Sequence, residues 1–425
     1  MKSKRFYEDW ISAFMEYSKY VEAPEVYLRW SAVSVVSAAL ERKVWLRSYG
    51  YTHYPNLYIF LVGEAGIRKS SASGRAVSLL WEVPGIGKLS NKLNEASLLR
   101  DLALVGETKK VEVGGITYPT SSGYLYASEG SDVFKAMYKD GGVIEVLTSL
   151  YDGGGPDKQG WSENSPWVKS TMGGGMTALH NPVLSFLACT TPSSLPVLIN
   201  RTEAEGGFGS RTLLVVFKGR VEKSYEWKEE VPADFEMRLR LIHDLRQINL
   251  MQGAYQPDSQ YKKLLPALER MHDEYMAEKR SHSLVAGFLA RKITHATKLS
   301  QVIAASSSSD LTLRASHLEQ AWRMLNELEP TMLEAYGSMG VPEDMRIRDD
   351  VWAHILKTKQ TKFIKADIQV AFQEIYPPKK ITAALDELRE LGKIRYEPME
   401  SRSSRHVYSV LSGDVLGQSS LSLGL

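Results

Sequence analysis

Apolar positions in the first fifty residues recur at helical spacing. Phe6, Trp10, Phe14 and Tyr17 stand three or four apart, which predicts an amphipathic helix. A second helix, Glu25 to Glu41, is apolar all round and so reads as buried, with Pro24 fitting its first turn. The pattern changes at Asn56–Val62, a near-continuous apolar run of the kind found in parallel strands covered on both faces. A helix is predicted over Ser71–Trp81. Apolar runs return at 123–127, 183–190 and 212–217 with helical stretches between them, an alternation that argues for an α/β sheet. Lys109–Tyr118, turning at Gly114-Gly115, and 160–181 read as hairpins. From Ala233 to Tyr336 the pattern is helical, broken at Ser306–Ser309. After 337–342 a compact unit follows. It reads as helices over 346–357, 365–373 and 378–391, then strands over 393–398 and 406–411, with Gly392 at a helix C-terminus. The Ser/Gly/Leu-rich stretch 412–425 reads as a flexible tail or a short docking peptide.

Composition narrows the class. The 425 residues are 43% hydrophobic and 24% charged, as in globular proteins. Lys plus Arg (52) nearly balances Asp plus Glu (50), so any nucleic-acid contact must come from local patches. One cysteine, Cys189, excludes a disulfide framework and a cysteine-based zinc cluster. No apolar run reaches membrane-spanning length, and the charged start does not read as a signal peptide, so a soluble, cytoplasmic protein is expected.

The chemistry concentrates after the Asn56–Val62 strand. Gly63-Glu64-Ala65-Gly66-Ile67-Arg68-Lys69-Ser70, followed by Ser71, stands between a strand and a helix. Glycines there let backbone amides wrap a triphosphate, lysine reaches the β- and γ-phosphates, and the serine hydroxyl holds Mg²⁺. The position before lysine is normally glycine. Arg68 is either strained there or adds charge near the phosphates. A turn with an incidental Lys-Ser is the competing reading. The strand ending at Ala127 leads into Ser128-Glu129; a carboxylate there orients an attacking water, and Ser128 takes the place of a metal-shell aspartate. The next strand ends in Thr190-Thr191, which would sit between the previous two strand ends and sense the γ-phosphate, or satisfy buried backbone. Gly206-Gly-Phe-Gly-Ser-Arg211 delivers one arginine just before a strand, as a ring ATPase presents an arginine finger to its neighbour, with Arg201 in reserve and a surface arginine as the alternative.

The order of these motifs resembles the AAA+/superfamily 3-like helicase ATPases of phages and mobile elements, over about 25–305. The entry segment Trp30–Leu40 followed by Pro55–Gly63 is similar to that group's. The resemblance implies an α/β fold, an AAA+-type P-loop sheet. Its parts would be an N-terminal helical segment (1–52), an ATPase core (53–220), a helical lid and connector (221–338) and a winged-helix domain (343–411). It implies ATP and Mg²⁺ as cofactors, a homo-oligomer, most simply a hexamer, and single-stranded DNA in a central pore. The insertion 156–181 would be the pore hairpin, carrying Lys158, Trp161, Trp167 and Lys169, a cation-plus-indole set that neutralises phosphate and stacks on bases, unless it is a solvated loop. Arg291 resembles a second-sensor arginine; Arg291, Lys292 and Lys298 otherwise form a solvated face. Residues 346–411 resemble a winged helix. Lys379, Lys380 and Thr382 would enter a major groove of duplex DNA, and Arg402 and Arg405 on the wing would reach a minor groove or phosphates. Over 351–408 eleven Lys/Arg face seven Asp/Glu, a local excess of four. Winged helices also dock proteins. The implied function is an ATP-dependent DNA helicase in phage or mobile-element replication, meeting other replication proteins in the host cytoplasm. A weakly hydrolysing initiator or helicase loader is the alternative, kept open by Arg68 and Ser128; a transcriptional ATPase stands third.

Overall fold

The computed structural model describes residues 4–48, 51–91, 94–130, 133, 141–153, 166–171, 175–195, 207–221, 232–278, 283–339, 343–358, 360–372, 376–397 and 407–411. They form two compact units, Met1–Tyr336 and Gly337–Leu425.

The first unit opens with α1 (Trp10–Tyr17), capped by Asp9, whose carboxylate accepts the Ser12 amide at 2.6 Å. Trp10, Phe14 and Tyr17 are buried as their spacing predicts, whereas Phe6 stays exposed. α2 (Glu25–Leu40) is buried on nearly every side. Two short strands the apolar pattern did not single out, β1 (Val44–Ser48) and β2 (Tyr51–His53), precede β3 (Tyr58–Val62), all five residues of which are buried. Then come α3 (Lys69–Leu80), α4 (Glu95–Thr108) and the β4–β5 hairpin (Lys110–Val113, Ile116–Pro119). Its Gly114 and Gly115 take φ of 60° and 81°, values that only such residues adopt cheaply at both turn positions. β6 (Ser122–Ala127), α5 (Gly141–Tyr151), the β7–β8 hairpin (Trp167–Thr171, Gly175–Leu179), β9 (Val183–Thr190) and β10 (Thr212–Val216) complete this region.

Four of these strands form one fully parallel sheet in the order β10-β3-β9-β6. β9 therefore lies between β3 and β6, although it follows both in the chain. Alternation along the strands sorts the faces. Ser185 reaches Ser37 of α2 and Cys189 reaches Ser73 of α3, while Phe186 packs on Tyr58 and Phe60, and Tyr58 donates to the Leu147 carbonyl of α5. Helices thus cover both faces, which is why the strands read as continuous apolar runs.

The remaining elements of this unit are α6 (Pro232–Asn249), β11 (Gly253–Ala254), β12 (Gln256–Pro257), α7 (Ser259–Glu278), α8 (Ser283–Ser307), β13 (Thr312–Leu313) and α9 (Ala315–Met339). α6 packs against α1, α2 and α3. In the turn before α9 the Asp310 carboxylate accepts the Thr312 amide and pairs with Arg314. No helix among the described residues is long and apolar enough to cross a membrane.

The second unit runs α10 (Glu343–Thr358), β14 (Lys362–Ile364), α11 (Lys365–Phe372), α12 (Pro378–Glu390), β15 (Ile394–Glu397) and β16 (Val407–Val410). Its strands pair antiparallel in the order β14-β16-β15. β14, three residues long, is the element the pattern missed. Gly392 has φ 68° just past the end of α12, as its position predicted. Ile347, Val351, Ile381, Leu385 and Leu388 form the core between α10 and α12.

Candidate functional site

The loop between β3 and α3 is shaped by two tight constraints. A Cβ on Gly63 would lie 2.3 Å from the Tyr27 hydroxyl, so only glycine fits while Tyr27 donates to the Val62 carbonyl at 2.6 Å. Gly66 has φ 84°. Arg68 caps α3 in the left-handed region, at φ 58° and ψ 26°. The loop thus requires the unusual backbone angle at the place where glycine is customary, and a residue with a Cβ occupies it at a cost of roughly 1–3 kcal/mol. The Arg68 guanidinium turns outward to Glu22, 3.5 Å away. Lys69 turns inward: its ammonium donates to the carbonyls of Gly63 and Glu64, each at 2.7 Å, and burial lowers its pKa against the pull of Cys189 and Glu64.

Sheet order brings the other groups beside this loop. Val62 pairs with Thr190, and Ala127 with Ala188, so the residues after β6 lie level with the end of β9. The Gly63 amide donates to the Thr190 carbonyl at 3.2 Å. Lys69, Ser70, Ser128, Glu129 and Thr190 line one cavity of about 610 Å³. Ala65, Gly66, Arg68 and Ser71 also line it, whereas Gly63, Glu64 and Ile67 of the same loop do not. Ser70, Ser128 and Glu129 are exposed to the cavity mouth. The Thr190 hydroxyl is buried and has no hydrogen-bond partner among the described residues, a state that an incoming acceptor or donor would relieve. Thr191 instead hydrogen-bonds Ser193 and Ser194. Cys189, unremarked as a site residue in the sequence, joins the lining; burial pushes its thiol up to about 11, against the Ser73 hydroxyl and Lys69. A larger cleft of about 910 Å³ along α1, the start of α2 and α9 carries no comparable set.

The donor set suits a triphosphate that brings its own cation. No group of three or more His, Cys, Asp or Glu able to hold a metal exists among the described residues. A magnesium ion, which keeps several waters and shares phosphate oxygens, needs only hydroxyls such as those of Ser70 and Ser128 with Glu129 near by.

Other predicted residues lie elsewhere. In the parallel register Thr212 stands beside Tyr58 and Val216 beside Val62, so Arg211 is at the sheet end opposite the β3–α3 loop. Five strand residues separate the two ends, about 17 Å. Its guanidinium donates to Asp152 and to the Gly207 carbonyl, each at 2.6 Å. Arg291 does not line the cavity; it joins Arg211 on Asp152 at 3.3 Å. No described residue beyond Ser194 lines the cavity, so none of the described helices after Lys218 contributes to its lining. Nor is the Arg291–Lys298 stretch a solvated face. Lys292 is buried and paired with Glu329. Lys298 is buried, donating to Asn56 at 2.7 Å and to the Tyr151 carbonyl at 3.0 Å. Burial drives its ammonium down to about 7, with Asp152 opposing and Arg291, Arg211 and Arg42 adding. His295 bridges Tyr151 and the Ser210 carbonyl, each at 2.9 Å, and burial takes it to about 3. Asp152 is the hub the sequence did not reveal. Burial alone would raise its pKa; Arg211, Lys298 and Arg291 outweigh this and lower it.

The DNA-contact candidates Lys158, Trp161, Arg402 and Arg405 lie outside the described residues, as does Arg201, the reserve arginine finger. Lys169 is held by Glu95 at 2.7 Å and Glu145 at 3.1 Å, which offsets its charge, and the Trp167 indole donates to Ser149. Lys379 is exposed at the start of α12 and Lys380 is half-buried. The Thr382 hydroxyl donates to the Pro378 carbonyl and accepts from Gln369.

No protein-family model matches the chain, and no curated protein sequence matches it significantly.

Proposed function

We propose that the chain is a P-loop nucleoside triphosphatase of the AAA+/superfamily 3-like kind, an ATP-dependent DNA helicase that works as a ring, most simply a hexamer. One observation carries the reading. β9 is inserted between the strand that ends in the phosphate loop and the strand that ends in Ser128-Glu129, so Lys69, Ser70, Glu129 and Thr190 line a single cavity. In this reading the loop amides and Lys69 bind the β- and γ-phosphates, and Ser70 with Ser128 shares the Mg²⁺ shell. Glu129 orients the attacking water and Thr190 contacts the γ-phosphate. Arg211, about 17 Å from its own loop, serves a neighbouring protomer's nucleotide. The second unit, with its helix–strand–helix–helix–strand–strand order, acts as a winged helix whose Lys379 and Lys380 meet duplex DNA. The later turns of α12 carry Asp386, Glu387 and Glu390, so contact is confined to its first turn.

The test is ATP turnover and unwinding of forked DNA. Lys69→Ala is expected to abolish both, at least 10³-fold in rate. Wild-type turnover in that variant would remove the assignment. A second reading, the weakly hydrolysing initiator or loader, draws on two observations: the left-handed Arg68 and a serine at position 128 where an aspartate is usual. ATP binding without DNA-stimulated hydrolysis or unwinding would favour it.

A further inference from the structure

The sheet end opposite the phosphate loop holds a charge arrangement that the nucleotide reading does not use. Two guanidiniums, Arg211 and Arg291, take one oxygen each of the Asp152 carboxylate, at 2.6 and 3.3 Å. Lys298, donating to the Tyr151 carbonyl beside it at 3.0 Å, lies in the field of the same carboxylate. Among the described residues two guanidiniums share this one carboxylate, so a further anion is attracted rather than repelled. The Arg211 Nε is buried and has no hydrogen-bond partner among the described residues, leaving this guanidinium one donor short of saturation there. Asp152 retains 21% side-chain exposure and Arg291 28%, so the cluster opens to the surface. A phosphate is a stronger multidentate acceptor for paired guanidiniums than a single carboxylate, and matches their planar donor forks.

We propose that Asp152 is a built-in counter-ion that parks Arg211 and Arg291 within the protomer, and that the terminal phosphate of a nucleotide carried by a second copy of this chain displaces it on assembly. The proposal rests on the nucleotide reading above and adds two things to it. Arg291 becomes a second guanidinium acting on the neighbour's phosphate, and Asp152 becomes an autoinhibitory group that suppresses turnover until the ring closes. The register supplies the reason for the trans geometry, since neither arginine reaches the cavity of its own chain. The anchoring is firm on the protein side: Arg211 also donates to Gly207, and α8, which bears Arg291, is tied to the segment before β10 by the His295–Ser210 hydrogen bond.

The experiment measures ATP turnover per subunit as a function of protein concentration, using the full chain. The wild type is expected to show a concentration threshold. Asp152→Asn should lower that threshold about tenfold, the equivalent of ~1.4 kcal/mol. Arg291→Ala should reduce turnover above threshold while Arg211→Ala abolishes it. A threshold in Asp152→Asn that is unchanged or higher, in a protein with wild-type thermal unfolding, overturns the proposal. Should Asp152→Asn fail to fold, Asp152→Glu keeps the charge but displaces the carboxylate; its threshold must also fall, and an unchanged one overturns the proposal. Failure of the underlying reading is separately visible. In that case the wild type neither binds nor turns over ATP, or Lys69→Ala does so equally well; either result overturns the parking role too.

Discussion

The two ends of one parallel sheet are built on opposite principles. At the end where β3, β6 and β9 finish, polar groups are left open: Glu129 and Ser128 are exposed, the Thr190 hydroxyl lacks a partner, and Arg68 holds a left-handed backbone. At the other end polar groups are interlocked: Asn56, Lys298, Tyr151 and His295 exchange hydrogen bonds in a buried chain. Asn56 also donates to the carbonyls of Tyr151 and Leu184, both at 3.1 Å. A buried polar network must be nearly complete to be tolerated, whereas a binding site needs unmet capacity. The difference marks the loop end as the candidate ligand site and the other end as an interlocked one. The exception is Asp152, which two guanidiniums share.

The largest effect expected at the open end beyond the lysine is from Glu129→Gln. It should lower ATP turnover by about 10²–10⁴-fold while leaving nucleotide binding in place, as expected for a group that acts on the water. Equal losses in binding and turnover would make Glu129 a binding group instead. At the interlocked end, pH is the probe. His295 falls to about 3 and His53 to about 4 in the folded chain, from 6.5. Between these values and 6.5 the unfolded chain binds protons that the native chain does not, so stability is fully present above pH 6.5 and is lost as pH falls. The slope is up to about 1.4 kcal/mol per pH unit per histidine. Denaturant melts from pH 7 to 4 should show it, and His295→Gln should flatten the curve; a slope unaltered by that substitution would move the effect elsewhere. The smallest effect belongs to Arg68→Gly. It should raise unfolding stability by up to about 1 kcal/mol by relieving the left-handed backbone, partly offset by glycine's looser unfolded state. Arg68→Ala, which keeps the strain, should gain nothing, and a gain equal to glycine's would contradict the backbone explanation.

Much of the open end was legible in the residues. The strand before the loop, the Gly63–Ser70 turn, Glu129 and Thr190 all lie within a few residues of a strand end, and apolar runs mark those ends. The interlocked end was not. Lys292 and Lys298 stand in a helix among polar residues such as Thr294, Thr297 and Ser300, as residues of a solvated face do, and yet both are buried. Lys169 looked like a phosphate contact because its two carboxylate partners, Glu95 and Glu145, are distant in the chain. β14 was missed because three residues are too few for a period to register.

Local chemistry therefore determined the elements: where helices and strands run, where the turn needs glycine, and which side chains stand at strand ends. It did so because periodicity and backbone preference act over a handful of neighbouring residues. Strand order and the pairing of charges belonged to the tertiary structure alone. Placing β9 between β3 and β6, and drawing Arg211 and Arg291 onto Asp152, depends on contacts between segments up to 139 residues apart. A charged side chain carries no mark of its partner until the sheet register brings the two together.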